Sequence, residues 1–137
     1  QSFSKIALMI DIPISLTGYV DICVIVFDVD RIIQLTCTDG RVEPKRLITV
    51  LDRSIKLVTI EMWSTNVKKI TEEIVGRCIT AKNLKVCQFR RKVYPKMVDS
   101  SDLDLNPSSV EAHDLYEWLK TDGTLSNIDE LDLLPDD

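Results

Sequence analysis

Histidine is almost missing from this chain: its 137 residues include one, His113. A histidine-based triad or multi-histidine metal site would have to be built around that one imidazole. Glycine is scarce too, with four in all, and none forms a phosphate-cradling loop. No apolar run approaches the ~20 residues that a spanning helix requires, so no membrane partner is expected. The four cysteines, Cys23, Cys37, Cys78 and Cys87, are 14, 41 and 9 positions apart, which fits no zinc-ligand pattern. Each sits in an apolar or strand-like run and reads as a small buried hydrophobe in a reducing compartment. Asp28, Asp30 and Asp39 surround strand turns and read as turn formers rather than an acid–base pair. We expect no catalytic residue, cofactor or metal, and no enzyme. The opening "QSFSKIALMI" has neither an initiator Met nor a signal-peptide layout, so we expect a segment of a longer protein.

What the chain does have is charge, unevenly divided. The overall net is −5, but residues 1–97 carry 16 Lys/Arg against 10 Asp/Glu, and residues 98–137 carry one Lys against 12 acids. A basic body therefore precedes an acidic C-terminal segment, and the body alone suits a polyanion partner. The length matches one domain able to bury its own core. We place that domain at 1–123, with 124–137 as an acidic tail or linker.

The element signals are mostly those of strands. "GYVDICVIVFDV" is rich in β-branched and aromatic residues, and "RIIQLTCT" continues it after a bend at "DVD". "DGRVEPKR" reads as a loop, with a turn pair at Asp39-Gly40 and a breaker at Pro44. "LITVLD" and "IKLVTIEMW" form a hairpin through "DRS". "STNVKKITEEIVG" reads as a short helix capped by Ser64 or Thr65 and ended by Gly76. "RCITAKNLKVCQF" and "VYPKMV" are strands around the basic tip "RRK". Ser108 or Ser109 caps a helix running to about Lys120, with Leu115, Trp118 and Leu119 as its apolar stripe. Five main strands with a helix between the third and fourth, then a terminal helix, is the order of an all-β OB-fold barrel.

One strand carries an anomaly. In "VTIEMW", Val58, Ile60 and Met62 alternate as a core face. That alternation leaves Trp63 with Thr59 and Glu61, on the polar side.

Several runs, in order, carry a resemblance that covers about Val20 to Lys120: "VDICVI", "DGRVEPKRLITVLDRS", "TIEMW", "VCQF" and "NPSSVEAHDLYEWL". Together they resemble the second central DNA-binding OB domain of the replication protein A large subunit. The tip "FRRKVYP" is more basic and less glycine-rich than the family's usual form, and the distance suits a divergent organism or a specialised paralogue, such as a telomeric or meiotic one. The resemblance implies two base-stacking aromatics on the barrel face, matched here by Trp63 and Phe89. It also implies single-stranded DNA as partner, neighbouring OB domains and other subunits of a larger complex, and a nuclear location.

The physical case for stacking stands beside that resemblance. An aromatic platform gains roughly 1–3 kcal/mol per stacked base, and it must lie on a solvated sheet face. The candidate phosphate contacts are Arg41, Lys45 and Arg46 at the first loop, Lys85 in parity with Phe89, and Arg90, Arg91 and Lys92 at the tip. The expected function is a single-stranded DNA-binding module. The alternatives are an OB-fold that docks proteins within a complex and a sequence-selective telomeric binder.

Overall fold

The computed structural model describes residue 3 and residues 18–54, 56–90 and 92–121. Among the described residues seven strands run as β1 (Tyr19–Val29), β2 (Ile33–Thr36), β3 (Val42–Leu51), β4 (Leu57–Trp63), β5 (Cys78–Phe89), β6 (Lys92–Lys96) and β7 (Asp102–Asp104). One α-helix among the described residues, α1, spans Val110–Thr121. The sheet closes into a ring in the order β1-β3-β4-β6-β5, with β5 returning to β1. The β4–β6 contact is parallel and pairs Glu61 with Lys96. β2 extends β3 at one margin and β7 extends β5 at the other.

The expected all-β OB architecture is therefore present, and its interior follows strand parity. Ile48 and Val50 of β3 meet Val58, Ile60 and Met62 of β4, and Ile79, Ala81, Leu84 and Val86 of β5 close the core. β1 is apolar on both sides for a separate reason. Ile22, Val24 and Val26 face the interior, while Cys23 and Ile25 lie in a second cluster with Ala112 and Leu115 of α1. A strand buried on both faces reads as a continuous apolar run, which is why "DICVIV" shows no alternation. α1 starts where expected: the Ser109 hydroxyl accepts the Ala112 N–H at 3.2 Å, and Trp118 and Leu119 join Leu115 in packing on the barrel. The hairpin at "DRS" is held by Asp52, whose Oδ1 accepts from the Ser54 N–H and hydroxyl at 2.9 and 2.6 Å.

Three local expectations are corrected. First, the turn between β2 and β3 is shorter than "DGRVEPKR", and Pro44 lies inside β3. The Cys37 N–H bonds the Arg41 carbonyl at 2.7 Å, and the register pairs Gln34 with Pro44. Counting from Cys37–Arg41 in steps of two makes Gln34–Pro44 a non-hydrogen-bonded pair. The missing proline N–H thus points away from β2, and on its other side β4 begins to pair only at Lys45. A proline fits a strand at such an edge. Gly40, at φ +88, supplies the left-handed position of the turn itself.

Second, "STNVKKITEEIVG" forms two 3-10 turns, Ser64–Lys68 and Glu72–Ile74, rather than one helix. Trp63 occupies the cap position with no side-chain cap bond. The Arg46 guanidinium takes the carbonyls that an α-helix would use, donating to Ile70 O at 2.5 Å and Val67 O at 3.4 Å. Val67, Ile70 and Ile74 still reach the core, and Gly76 ends the segment at φ +87.

Third, of the four cysteines only Cys23 is buried. Cys37, Cys78 and Cys87 are half-buried. The Cys23 and Cys78 sulfurs lie 3.8 Å apart across β1 and β5, and that contact together with burial pushes the Cys78 thiol up. Two short strands, β2 and β7, are separate elements in the structure; β7 lies within "SSDLDLNPSS", ahead of α1. The acidic segment 124–137 lies outside the described residues.

Ile70 belongs to the main core cluster and is fully buried. Ile70→Ala is expected to cost about 2–5 kcal/mol, as for a large-to-small change in a packed core. Urea unfolding checks this; a loss under ~1 kcal/mol would place the 3-10 segment outside the barrel's cooperative unit.

Candidate nucleic-acid interface

Away from α1, which packs on the outer face at Leu51, Leu57 and Cys78, the outward residues of β3, β4, β6 and β5 form one continuous strip. Its composition follows from register, because directly paired residues share a face. β3–β4 pairing sets Lys45 opposite Trp63 and Leu47 opposite Glu61. β4–β6 sets Glu61 opposite Lys96. β5–β6 sets Lys85 opposite Lys96, Cys87 opposite Tyr94, and Phe89 opposite Lys92. β1 adds Tyr19, paired with Lys85. The alternate residues Leu84, Val86, Val93 and Met97 are buried. A row of aromatics and cations thus runs from Lys45 and Trp63 to Lys92 and Phe89.

Trp63 stands at one end of the row, half-buried. Its indole N–H donates to Glu61 Oε1, which sets the ring orientation. The Lys45 ammonium lies 5.3 Å and the Lys96 ammonium 5.9 Å from the ring centroid. Lys45 also pairs with Glu61 Oε2 at 3.5 Å. Phe89, at the other end, is 59% exposed and lies 5.3 Å from the Arg90 guanidinium. Arg90 takes φ 58, a left-handed conformation that costs a non-glycine residue of order 1–2 kcal/mol. Burial first, and then the charge of Glu61, raise the phenol of Tyr94 above its ordinary value.

The predicted residues fall into distinct groups. Trp63, Lys45, Lys85, Phe89 and Lys92 share the strip, and Arg90 is at its tip. Arg41 sits on the β2–β3 turn, exposed, with its Nε 2.6 Å from Asp39; the Arg41 backbone N–H and guanidinium hold Asp39 below the usual carboxylate range. Arg91 lies outside the described residues. Arg46 points the other way. It pairs with Met62, shares parity with Ile48 and Val50, and holds the 3-10 segment, with its Nε buried and unpaired. Parity would have separated Arg46 from Lys45. The same signal finds what was missed, Tyr94 and Lys96: in "KVYPKM" they alternate, with Lys92, against the buried Val93, Pro95 and Met97. Tyr19, 58% exposed, carries no such signal, because bulges shift the β1–β5 register between Val20 and Ile22.

The strip is open rather than pocketed. A groove of about 240 Å³ beside Lys45 is lined by Asp30, Arg31, Ile33 and Leu47. A larger one, about 700 Å³, lies at the N-terminus of α1 and includes His113 and Tyr116; none of its residues belongs to the strip. An open, aromatic and cationic surface suits an extended polyanion with flat bases better than a small molecule.

Comparison with known proteins supplies the lineage. The family model of the replication protein A OB domain matches residues 14–106. Two Arabidopsis thaliana relatives are the replication protein A 70 kDa DNA-binding subunits D and B. They are 33% identical over 91 residues and 31% over 90, covering 63% and 62% of this chain. Those matches span only 14% and 15% of the relatives' own length. Among solved structures, a replication protein A heterotrimer bound to ssDNA superposes with a TM-score of 0.77 at 20% identity, covering 89% of this chain and 28% of that one. At that identity the likeness speaks for the fold.

Because Arg46 serves the barrel rather than the strip, Arg46→Met is expected to lower stability by about 1.5–3 kcal/mol, the scale of hydrogen bonds from a charged group. The salt dependence of nucleic-acid binding should stay as in the parent. Denaturant unfolding and binding titrations at several salt concentrations check both. A flattened salt dependence with unchanged stability would move Arg46 into the contact set.

Proposed function

The chain belongs to the replication protein A OB-domain family, and on that premise we propose that it is a single-stranded DNA-binding module of a larger replication protein A-like subunit. The observation that carries this reading is Trp63 on the outer face of β4, between Lys45 and Lys96, with Phe89 on the same strip. Bases stack on the two aromatics, and each contributes roughly 1–3 kcal/mol. Lys45, Lys85, Arg90, Lys92 and Lys96 hold phosphates, with Arg41 reaching from the β2–β3 turn; Arg91 is a further candidate from the sequence. Tyr19 and Tyr94 extend the stacking surface. Arg46 has no place in this contact set. Binding of this kind tolerates many sequences, because every base offers a π-face. The module acts without catalysis, in DNA replication or repair, and in the nucleus.

A second reading, docking to other subunits, is supported by the groove at the N-terminus of α1, where Val75, Val110 and Tyr116 are exposed. It uses a different part of the surface and can accompany DNA binding. Sequence-selective telomeric binding is a narrower form of the first reading, and a G-rich repeat tests it.

The test is a fluorescence-anisotropy titration with labelled poly-dT, a G-rich repeat and duplex DNA at two salt concentrations. Poly-dT should bind more tightly than duplex, and a strong preference for the repeat would favour the telomeric form. Three or four phosphate contacts give a log–log salt slope of about −2 to −3, from roughly −0.7 per phosphate on single strands. Trp63→Ala should weaken poly-dT binding by about 1–3 kcal/mol with little change in melting temperature. Unchanged affinity, or unfolding, would assign Trp63 to packing.

A further inference from the structure

At the centre of a surface suited to a polyanion stands a carboxylate. Glu61 is flanked by Leu47 on β3 and Lys96 on β6 through the register. Both of its oxygens are engaged: Oε1 accepts the Trp63 indole N–H, and Oε2 lies 3.5 Å from the Lys45 ammonium. The two side chains of that pair are only 22% and 14% exposed, so solvent screens the contact less than it would a surface pair. Lys45 also lies over the Trp63 ring. One carboxylate therefore fixes the aromatic platform and holds the nearest cation.

We propose that Glu61 is a built-in counter-anion of the strip, a positioning residue that holds Lys45 until a nucleic-acid phosphate replaces it. This rests on the single-strand-binding reading above. In the free protein Glu61 neutralises Lys45 and orients Trp63. On binding, a phosphate takes the Lys45 ammonium, Glu61 keeps the indole N–H, and a base covers the ring face that Lys45 vacates. Glu61 then needs a new counterion from solution. The cation released by the DNA at that phosphate is offset by the one Glu61 takes up, so Lys45 adds little net salt dependence in the native protein. The acid thus limits affinity at low salt and keeps part of the binding insensitive to salt.

The consequence is opposite to that of an ordinary contact residue. Glu61→Gln keeps an acceptor for the indole N–H and removes the charge. Binding to poly-dT should become tighter at low salt, and the log–log slope steeper by about 0.7, the contribution of one phosphate on a single strand. Between 50 and 200 mM salt this enlarges the loss of affinity by about 2.6-fold. In a Lys45→Met background the same Glu61→Gln change should leave the slope unaltered, because the cation to be released is gone. Glu61→Ala, which also removes the indole acceptor, should steepen the slope but shift the Trp63 emission and forfeit part of the low-salt gain. Melting temperatures of all variants establish that they are folded.

An unchanged slope in Glu61→Gln, or an equal steepening with and without Lys45, would overturn the proposal; the second result would mean that Glu61 acts only through the general field. Absence of poly-dT binding by the parent protein is a different outcome, which would overturn the functional reading itself.

Discussion

Closing a sheet on itself gives every strand one side toward a dry interior and one toward whatever lies outside, and this constraint decides the chemistry of the whole molecule. In β4 it commits Val58, Ile60 and Met62 to the core and so turns Thr59, Glu61 and Trp63 outward. A slip of one residue would bury Glu61 and expose Met62, which would place a charge in the core. Ring closure then selects the neighbours of Trp63. Antiparallel β3 brings Lys45, and parallel β6 brings Lys96 beside Glu61. The cations at the tryptophan are consequences of register, not of proximity in sequence.

The outside of the barrel is divided by α1. Where the helix packs, the outer residues are apolar: Cys23 and Ile25 on β1, against Ala112 and Leu115. Where it does not, Lys, Tyr, Trp and Phe side chains surround Glu61. These side chains tolerate water at one end and offer an apolar body at the other. An exposed aromatic on a solvated sheet gains nothing from the core, and its position becomes intelligible when a flat partner covers it. The strained backbone at Arg90 lies at the edge of the same region, where it places a guanidinium beside Phe89.

Much of this was legible in the chain because alternation is a direct statement about faces. β4, the outer half of β5 and the "KVYPKM" run of β6 could be read residue by residue, and Trp63 stood out as an aromatic on the wrong side of a strand. The Ser109 cap and the stripe of α1 were legible because helix signals are local. The failures were non-local. Pro44 is tolerated only because β4 starts to pair one residue later, at Lys45, a register that no local rule contains. The 3-10 turns replace a helix because Arg46, some twenty residues away, takes the carbonyls of Val67 and Ile70. Arg46 was grouped with Lys45 by adjacency although adjacent strand residues face opposite ways. The engagement of Lys45 by Glu61 required coordinates, since two residues sixteen positions apart meet only through the hairpin.

The central claim is that Trp63 is the platform on which a base of single-stranded DNA stacks. The chain has two tryptophans, and the second, Trp118, lies on α1 against the barrel. In a Trp118→Phe variant, emission comes from Trp63 alone. Titration with unlabelled poly-dT should quench that emission along the same isotherm that anisotropy reports for a labelled strand, with saturation at the same ratio. Saturable binding with unaltered Trp63 emission would contradict the account, because it would mean that DNA occupies a surface from which Trp63 is absent.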